Sequence, residues 1–237
     1  MKVSGVMWML AALLFITTLA YADGTTTMQF TGVNGANNGI YYVSPYMGTM
    51  NYGTSGARSV TLFCDDINND VSMGQVWNAN VTSLATAAST GNFNNTRYGN
   101  PLVNTGLGAN PYGSSAAILY KEAAWLVTQF GAHPGDYVSL QYALWNLMSP
   151  TNASSGSLGF MGSDGISVGQ WLATAAAGYK DINLENFQII TNVGPLGYTG
   201  QVQEFIVPTP EPATVLLLLV GISAMLLFVS RRQQQSA

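Results

Sequence analysis

Residues 114 to 131 read SSAAILYKEAAWLVTQFG, and residues 136 to 148 read DYVSLQYALWNLM. In the first stretch Ser114-Ser115 supplies a cap, Ala116 to Phe130 an apolar segment and Gly131 a stop, which together predict a helix. The second predicts a helix from Tyr137 to Met148, opened by Asp136 and stopped before Pro150. A third, from Val168 to Tyr179, has a less regular pattern. The sequence on either side has the opposite periodicity. Thr26 to Thr31, Gly39 to Val43, Ser59 to Phe63 and Gln75 to Leu84 alternate like strands between Gly and Asn turns. Phe187 to Thr191 and Gln201 to Val207 return to that pattern. A Gly- and Asn-rich loop from Gly91 to Gly113 marks the change, and no internal repeat is present. The expected class is α+β, a β-rich framework with a helical insertion of two to three helices.

Composition restricts the function. Only 8% of the 237 residues are charged, while 48% are hydrophobic and 11% aromatic, which excludes a disordered chain and calls for a packed core. Lys2, Arg231 and Arg232 lie in the terminal segments, so Arg58, Arg97, Lys121 and Lys180 are the cations of the middle, against eleven acids. Four scattered cations cannot neutralise a run of phosphates, so nucleic acid is excluded as a partner. The single Cys64 and single His133 exclude a disulfide framework, a CxxC site and a His-rich zinc centre, and nothing calls for a cofactor.

The two ends set an address. Lys2, the apolar run from Val6 to Ile16 and Ala20-Tyr21-Ala22 read as a signal peptide over residues 1 to 22, an N-terminal signal helix removed on export. Ala213 to Val229 is an uncharged run at the lower limit for a transmembrane helix. Ser230-Arg231-Arg232 follows at once and favours a cytoplasmic tail, so the preceding chain lies outside. Immediately before it, Pro208, Pro210 and Pro212 hold an extended segment around Pro210-Glu211-Pro212. This combination of Pro-Glu-Pro motif, apolar helix and Arg pair over residues 208 to 237 resembles the PEP-CTERM sorting signal of bacteria that make extracellular polysaccharide. The resemblance implies export, a single-pass inner-membrane precursor, and exosortase as the processing partner. It further implies a final location at the cell surface or in the extracellular matrix, among envelope polysaccharide.

Residues 23 to 207 then form the ectodomain, large enough for one core. On its second helix Tyr137, Gln141, Leu144, Trp145 and Met148 share one face, so Gln141 stands inside an apolar stripe. A buried amide without partners costs about 2–7 kcal/mol, so something must satisfy or consume it. Cys64, in Leu62-Phe63-Cys64-Asp65-Asp66, is a lone thiol in an exported chain. One explanation covers both: the Cys64 sulfur joins the Gln141 side-chain carbonyl in an internal thioester. The plainer one makes Cys64 a buried small apolar residue and pairs Gln141 with the backbone.

Aromatic-Cys-x-Asp at Phe63 to Asp66, and Gln-Tyr-Ala-Leu-Trp at 141 to 145, resemble the thioester domains of bacterial surface adhesins. Gly74-Gln75-Val76-Trp77 and Ala123-Ala124-Trp125-Leu126-Val127 extend the likeness to ectodomains of other PEP-CTERM proteins. The resemblance implies a non-enzymatic adhesion or structural role in which a partner amine attacks the acyl carbon. It further implies shielding of the bond by Phe63, Tyr142 and Trp145. The alternative is a secreted or envelope-associated hydrolase or glycan-binding module with a purely structural Cys64.

Other motifs are incomplete. Asp66, Asn68 and Asp70 match the first ligands of a calcium loop, but Val71 stands where the loop needs Gly and its closing Glu is absent, so no metal is expected. His133 reads as a surface residue rather than a base, and Ser114-Ser115 as a cap rather than a nucleophile, since no Gly-x-Ser-x-Gly surrounds it.

Overall fold

The computed structural model describes residues 23–35, 37, 40–99, 115–150, 158–194, 202–209, 221 and 223. Six antiparallel strands close a barrel: β1 (Gly24–Val33), β2 (Tyr46–Met50), β3 (Arg58–Cys64), β4 (Val76–Ser83), β5 (Phe187–Asn192) and β6 (Phe205–Pro208). Around the barrel the order is β1-β2-β3-β6-β5-β4. Among the described residues of this unit the α-helices are α1 (Leu84–Thr90), α2 (Ala116–Ala132), α3 (Tyr137–Met148) and α4 (Val168–Gly178). All four lie between β4 and β5 in the chain, which gives the α+β class with a β-rich core.

Period-two alternation fills the barrel. Met28 and Phe30 from β1, Met50 from β2, Leu62 from β3, and Trp77, Ala79 and Val81 from β4 form one buried cluster with Ile190, Phe205 and Val207. Gly48 faces this interior because a Cβ there would meet Leu62 Cδ1 at 2.8 Å, so its absence leaves room for the leucine. The neighbouring side chains Phe63, Phe187, Ile189 and Ile206 point the other way and build a second core with α2, α3 and α4. β5 and β6 are therefore buried on both faces: β6 is apolar throughout, and β5 buries Gln188 and Thr191 among Phe187, Ile189 and Ile190.

The seam that closes the barrel is short. β3 meets β6 only through Phe63↔Ile206 and Cys64↔Phe205, so Cys64 is the last paired residue of its strand.

Local signals place the helices. Ser115 accepts a hydrogen bond from the Ile118 amide, and Ser167 with Gln170 forms a reciprocal capping box at α4. Four expectations are corrected. In the segment expected as a strand from Gly39 to Val43, Gly39 lies outside the described residues and Ile40 to Val43 form no strand: Tyr42 makes one isolated bridge, to Asn37, and the ladder resumes at Tyr46. Leu84 opens α1 instead of ending β4, because the Ser83 hydroxyl caps the turn that follows. Asp136 precedes α3 without capping it, since its carboxylate accepts from the Asp164 amide. Finally, Pro208 closes β6 opposite Phe187, a strand-end position that needs no amide proton, and Thr209 N–H bonds Asn186 O. The compact unit accordingly spans Ala22–Thr209, two residues beyond the expected boundary.

Among the described residues no helix is long and apolar enough to cross a membrane. The signal segment 1–22, the motif Pro210-Glu211-Pro212, the apolar run 213–229 and the Arg231-Arg232 pair lie outside the described residues, apart from Gly221 and Ser223.

Candidate functional site

At the end of β3 the fold brings Cys64 and Gln141 into direct contact, 77 residues apart in sequence and both fully buried. α3 lies across this end of the barrel, and Gln141 stands one turn before Trp145 on its inner face. The Gln141 Nε2 amide donates to Cys64 O at 2.6 Å, and Gln141 Oε1 accepts from Ser44 N–H at 2.9 Å. The Ser44 hydroxyl in turn accepts the Cys64 amide proton at 2.8 Å. Ser44, from the segment before β2, thus clamps both partners. Every strong hydrogen-bonding group of this buried amide is engaged, which answers the cost that its place in an apolar stripe raised.

The sulfur has its own shell. Trp145 Nε1 donates to Cys64 Sγ at 3.5 Å, and the thiol donates to Asp66 O at 3.3 Å. Burial, reinforced by the negative charge of Asp66, pushes the Cys64 thiol well above its ordinary range, so it is neutral in this arrangement. The site sets a thiol and a carboxamide side by side, the pair of groups that acyl transfer from nitrogen to sulfur would need. The Ser44 amide already sits on the oxygen where negative charge would develop during attack on the Gln141 carbonyl, as an oxyanion donor must.

Of the three aromatic residues expected from the sequence to shield the bond, Trp145 and Tyr142 lie together on the sulfur's side of the fold. Trp145 covers the sulfur, and the Tyr142 ring packs edge-on against it at 5.6 Å. Phe63 does not join them. Adjacent strand residues point to opposite faces, so with Cys64 inside the barrel Phe63 faces the helices and packs on Phe130 at 4.9 Å.

The residues beside Cys64 form a buried ionic network that sequence reasoning missed. Arg97 Nε pairs with Asp66 Oδ2 at 2.8 Å, and its Nη2 donates to Val202 O at 3.1 Å. Glu204, fully buried, accepts from the Arg97 amide at 2.6 Å and from the hydroxyls of Tyr120 and Thr191. Tyr98 donates to Asp66 Oδ1 and accepts from Ser149. Asp66 is therefore committed to Arg97, Asn68 donates to Ser149, and Asp70 is exposed, so the calcium candidates have separate environments. Among the described residues no group of three or more His, Cys, Asp or Glu could hold a metal. His133 ends α2, where it pairs with Asp164 at 2.9 Å and packs edge-on against Trp171.

Three buried acids face one buried guanidinium here, and Asp65 is the odd one out: fully buried, with no hydrogen-bond partner from another of the described residues for either oxygen. Burial, then the charges of Glu204 and Asp66, push its carboxyl well above the usual carboxylate range, while Glu204 keeps Arg97 and its hydroxyl donors. Asp65 accordingly holds the proton. In the unfolded chain it ionises above pH ~4, so the stability it contributes is present below that pH and is lost as pH rises toward its folded value. Thermal unfolding should thus show wild-type stability falling from pH 5 to pH 8, by up to about 1.4 kcal/mol per pH unit. In Asp65→Asn the slope should flatten. An unchanged slope in that variant would remove Asp65 from the account.

Beside the Cys64–Gln141 junction opens a cavity of about 540 Å3. Trp145 forms one wall, Tyr41, Tyr42 and Tyr46 form others, and Asp70 and Gln203 supply polar atoms. Tyr41 packs edge-on against Trp145 at 5.6 Å. The rim is apolar and open: Ile40, Tyr42 and Met73 are 78%, 61% and 67% exposed. Compared with known proteins, this chain matches no protein-family model, no curated protein and no solved structure.

Proposed function

We propose that this chain is an exported, exosortase-sorted protein of the bacterial surface or extracellular matrix, and that it attaches to its partner through an internal thioester between Cys64 and Gln141. The observation that carries this reading is the 2.6 Å contact of the Gln141 amide with Cys64 O, both residues fully buried, with a backbone N–H on the Gln141 carbonyl oxygen. In bond formation the sulfur adds to Gln141 Cδ, the C–N bond breaks, and the thiol proton leaves with the nitrogen as ammonia. The role is adhesive or structural, not enzymatic, since each molecule reacts once. The tail from Val207 to Arg232 supports the address: membrane attachment before processing, then the envelope polysaccharide.

A second reading rests on the same hydrogen bonds. Because Ser44 and Cys64 already satisfy the amide, Gln141 can serve as a strut tying α3 to the barrel, with Cys64 structural and the function that of a glycan-binding module or hydrolase. Intact mass separates the two: the thioester makes the protein lighter than its sequence mass by one ammonia, and the strut leaves the mass unchanged. For the address, fractionation of the native producer should recover the protein in envelope and extracellular fractions. Recovery mainly from the cytoplasm would overturn export.

A further inference from the structure

Gln203 lines the cavity of about 540 Å3 and is only 8% exposed, yet among the described residues nothing hydrogen-bonds its side-chain amide. Gln141, also buried, shows the contrast, since backbone groups meet both ends of its amide. An enclosed carboxamide carries a free-energy cost until its donor and its acceptor are both satisfied. Gln203 therefore calls for a group that can accept and donate at once, brought in through the cavity.

The cavity lies where β1 ends and β2 begins, at a mouth of the barrel, a place where small-ligand sites recur. Its volume falls within their roughly 300–1,000 Å3 range. Tyr41, Tyr42 and Trp145 contribute aromatic surface and Asp70 a carboxylate, and among the described residues no lysine, arginine or histidine lines it. The Asp70 charge reaches into this space: it adds to the burial that raises the phenol of Tyr46, another wall residue, above its ordinary range.

Ligand classes meet these walls differently. An anion encounters Asp70 with no cation to offset it. A purely aliphatic or aromatic group leaves Gln203 with its cost. An ammonium satisfies Asp70 and the Gln203 oxygen, but it only donates, so the amide N–H groups stay unmet. A hydroxyl both donates and accepts, and adjacent hydroxyls on a saturated ring can serve a carboxylate and an amide together. The C–H groups on the face of such a ring carry partial positive charge, which suits the negative face of an aromatic ring.

We propose that this cavity binds a neutral sugar ring, packed against Tyr41, Tyr42 and Trp145 and held by hydrogen bonds to Asp70 and Gln203. For its biological role the proposal rests on the second reading, that of a glycan-binding module, and it gives that role a place on the fold. It does not need the thioester, since neither Cys64 nor Gln141 lines the cavity. No bond is made or broken, and Asp70 selects against acidic sugars.

The test is calorimetry on the full-length protein with hexamers of glucose, mannose, galactose and N-acetylglucosamine, and with hexagalacturonate and hexaglucosamine as anionic and cationic counterparts. At least one neutral hexamer should bind, and hexagalacturonate should not. Asp70→Ala and Gln203→Leu should each weaken the neutral hexamer about tenfold, the worth of roughly one good hydrogen bond. Gln203→Leu should leave the melting temperature unchanged or raise it, because it removes a buried amide that is unpaired in the free protein. If that variant fails to fold, Asp70→Ala, at an exposed position, decides alone. Neutral-hexamer binding untouched by the substitutions would overturn the pocket and leave the glycan-binding role to another surface. Tighter binding of hexaglucosamine, unaffected by Gln203→Leu, would make the cavity a cation site and overturn the proposal. Binding of no neutral hexamer would overturn the pocket together with the glycan-binding reading, while the thioester reading would stand or fall on intact mass.

Discussion

Arg97→Met should destabilise the domain by about 3–5 kcal/mol in urea unfolding, because it removes one partner of a buried ion pair and leaves the other charged. The methionine keeps much of the side-chain volume, so the loss is electrostatic and not a cavity effect. Asp66 would lose the guanidinium at 2.8 Å, and Val202 O its donor at 3.1 Å. A domain of this size has about 5–15 kcal/mol in hand, so the variant would stand near the edge of folding. Arg97→Lys restores the charge but not the planar fork that serves Asp66 and Val202 together, and should recover part of the loss. The electrostatic cause has its own signature: the deficit should shrink at pH 4.5, where carboxylates left without a counter-charge can take up protons. A deficit equal at pH 4.5 and 7.5 would instead assign Arg97 a packing role. The damage should also reach the junction, since Glu204 N–H bonds Asp66 Oδ2 at 3.4 Å and the next residue, Phe205, pairs with Cys64 across the seam.

Cys64→Ala is the second large effect, and it is qualitative. On the thioester reading the wild type should be lighter by one ammonia and should take up methylamine at Gln141 with release of the thiol, and Cys64→Ala should lose both properties. The stability cost should stay near 1–2 kcal/mol, from the sulfur contacts with Trp145 and the hydrogen bond to Asp66 O. Gln141→Ala would abolish the chemistry equally but is a poorer probe. It strands the buried Ser44 N–H and Cys64 carbonyl without partners, each at about 1–3 kcal/mol, so loss of reaction could not be told from loss of fold. An unmodified mass with a titratable thiol in freshly purified wild type would hand the site to the structural reading.

The helical insertion was legible because its signals are local. Ser115, the apolar face of Ala116 to Phe130 and the pattern from Tyr137 to Met148 each act within a few turns, and a single sequence displays them in full. β2 was not legible. Tyr46 to Met50 follows a proline and contains Gly48, both of which read as turn signals, whereas the neighbouring Gly39 to Val43 alternates more cleanly. What favours the actual strand is its partners: it bonds β1 on one side and β3 on the other, with Gly48 yielding to Leu62. Phe63 was misassigned as a shield for a related reason: an apolar neighbour of Cys64 suggests contact, but the pleat sends the two side chains into different cores.

By itself the sequence determined the α+β class, the main helices, and the pairing of Cys64 with Gln141 as the residues to watch, because a lone thiol and an amide in an apolar stripe are anomalies of local composition. Only the tertiary structure decided that the barrel closes at Cys64, that Ser44 clamps both residues, and that Trp145 forms a wall of an aromatic cavity. It alone decided the fate of the acids as well. Asp65, Asp66 and Glu204 belong by type at the surface, and Arg97 looked like one scattered cation. Burial of such groups depends on partners up to 138 residues away, as between Asp66 and Glu204, and the free energy of a buried charge is set by what surrounds it in space rather than along the chain.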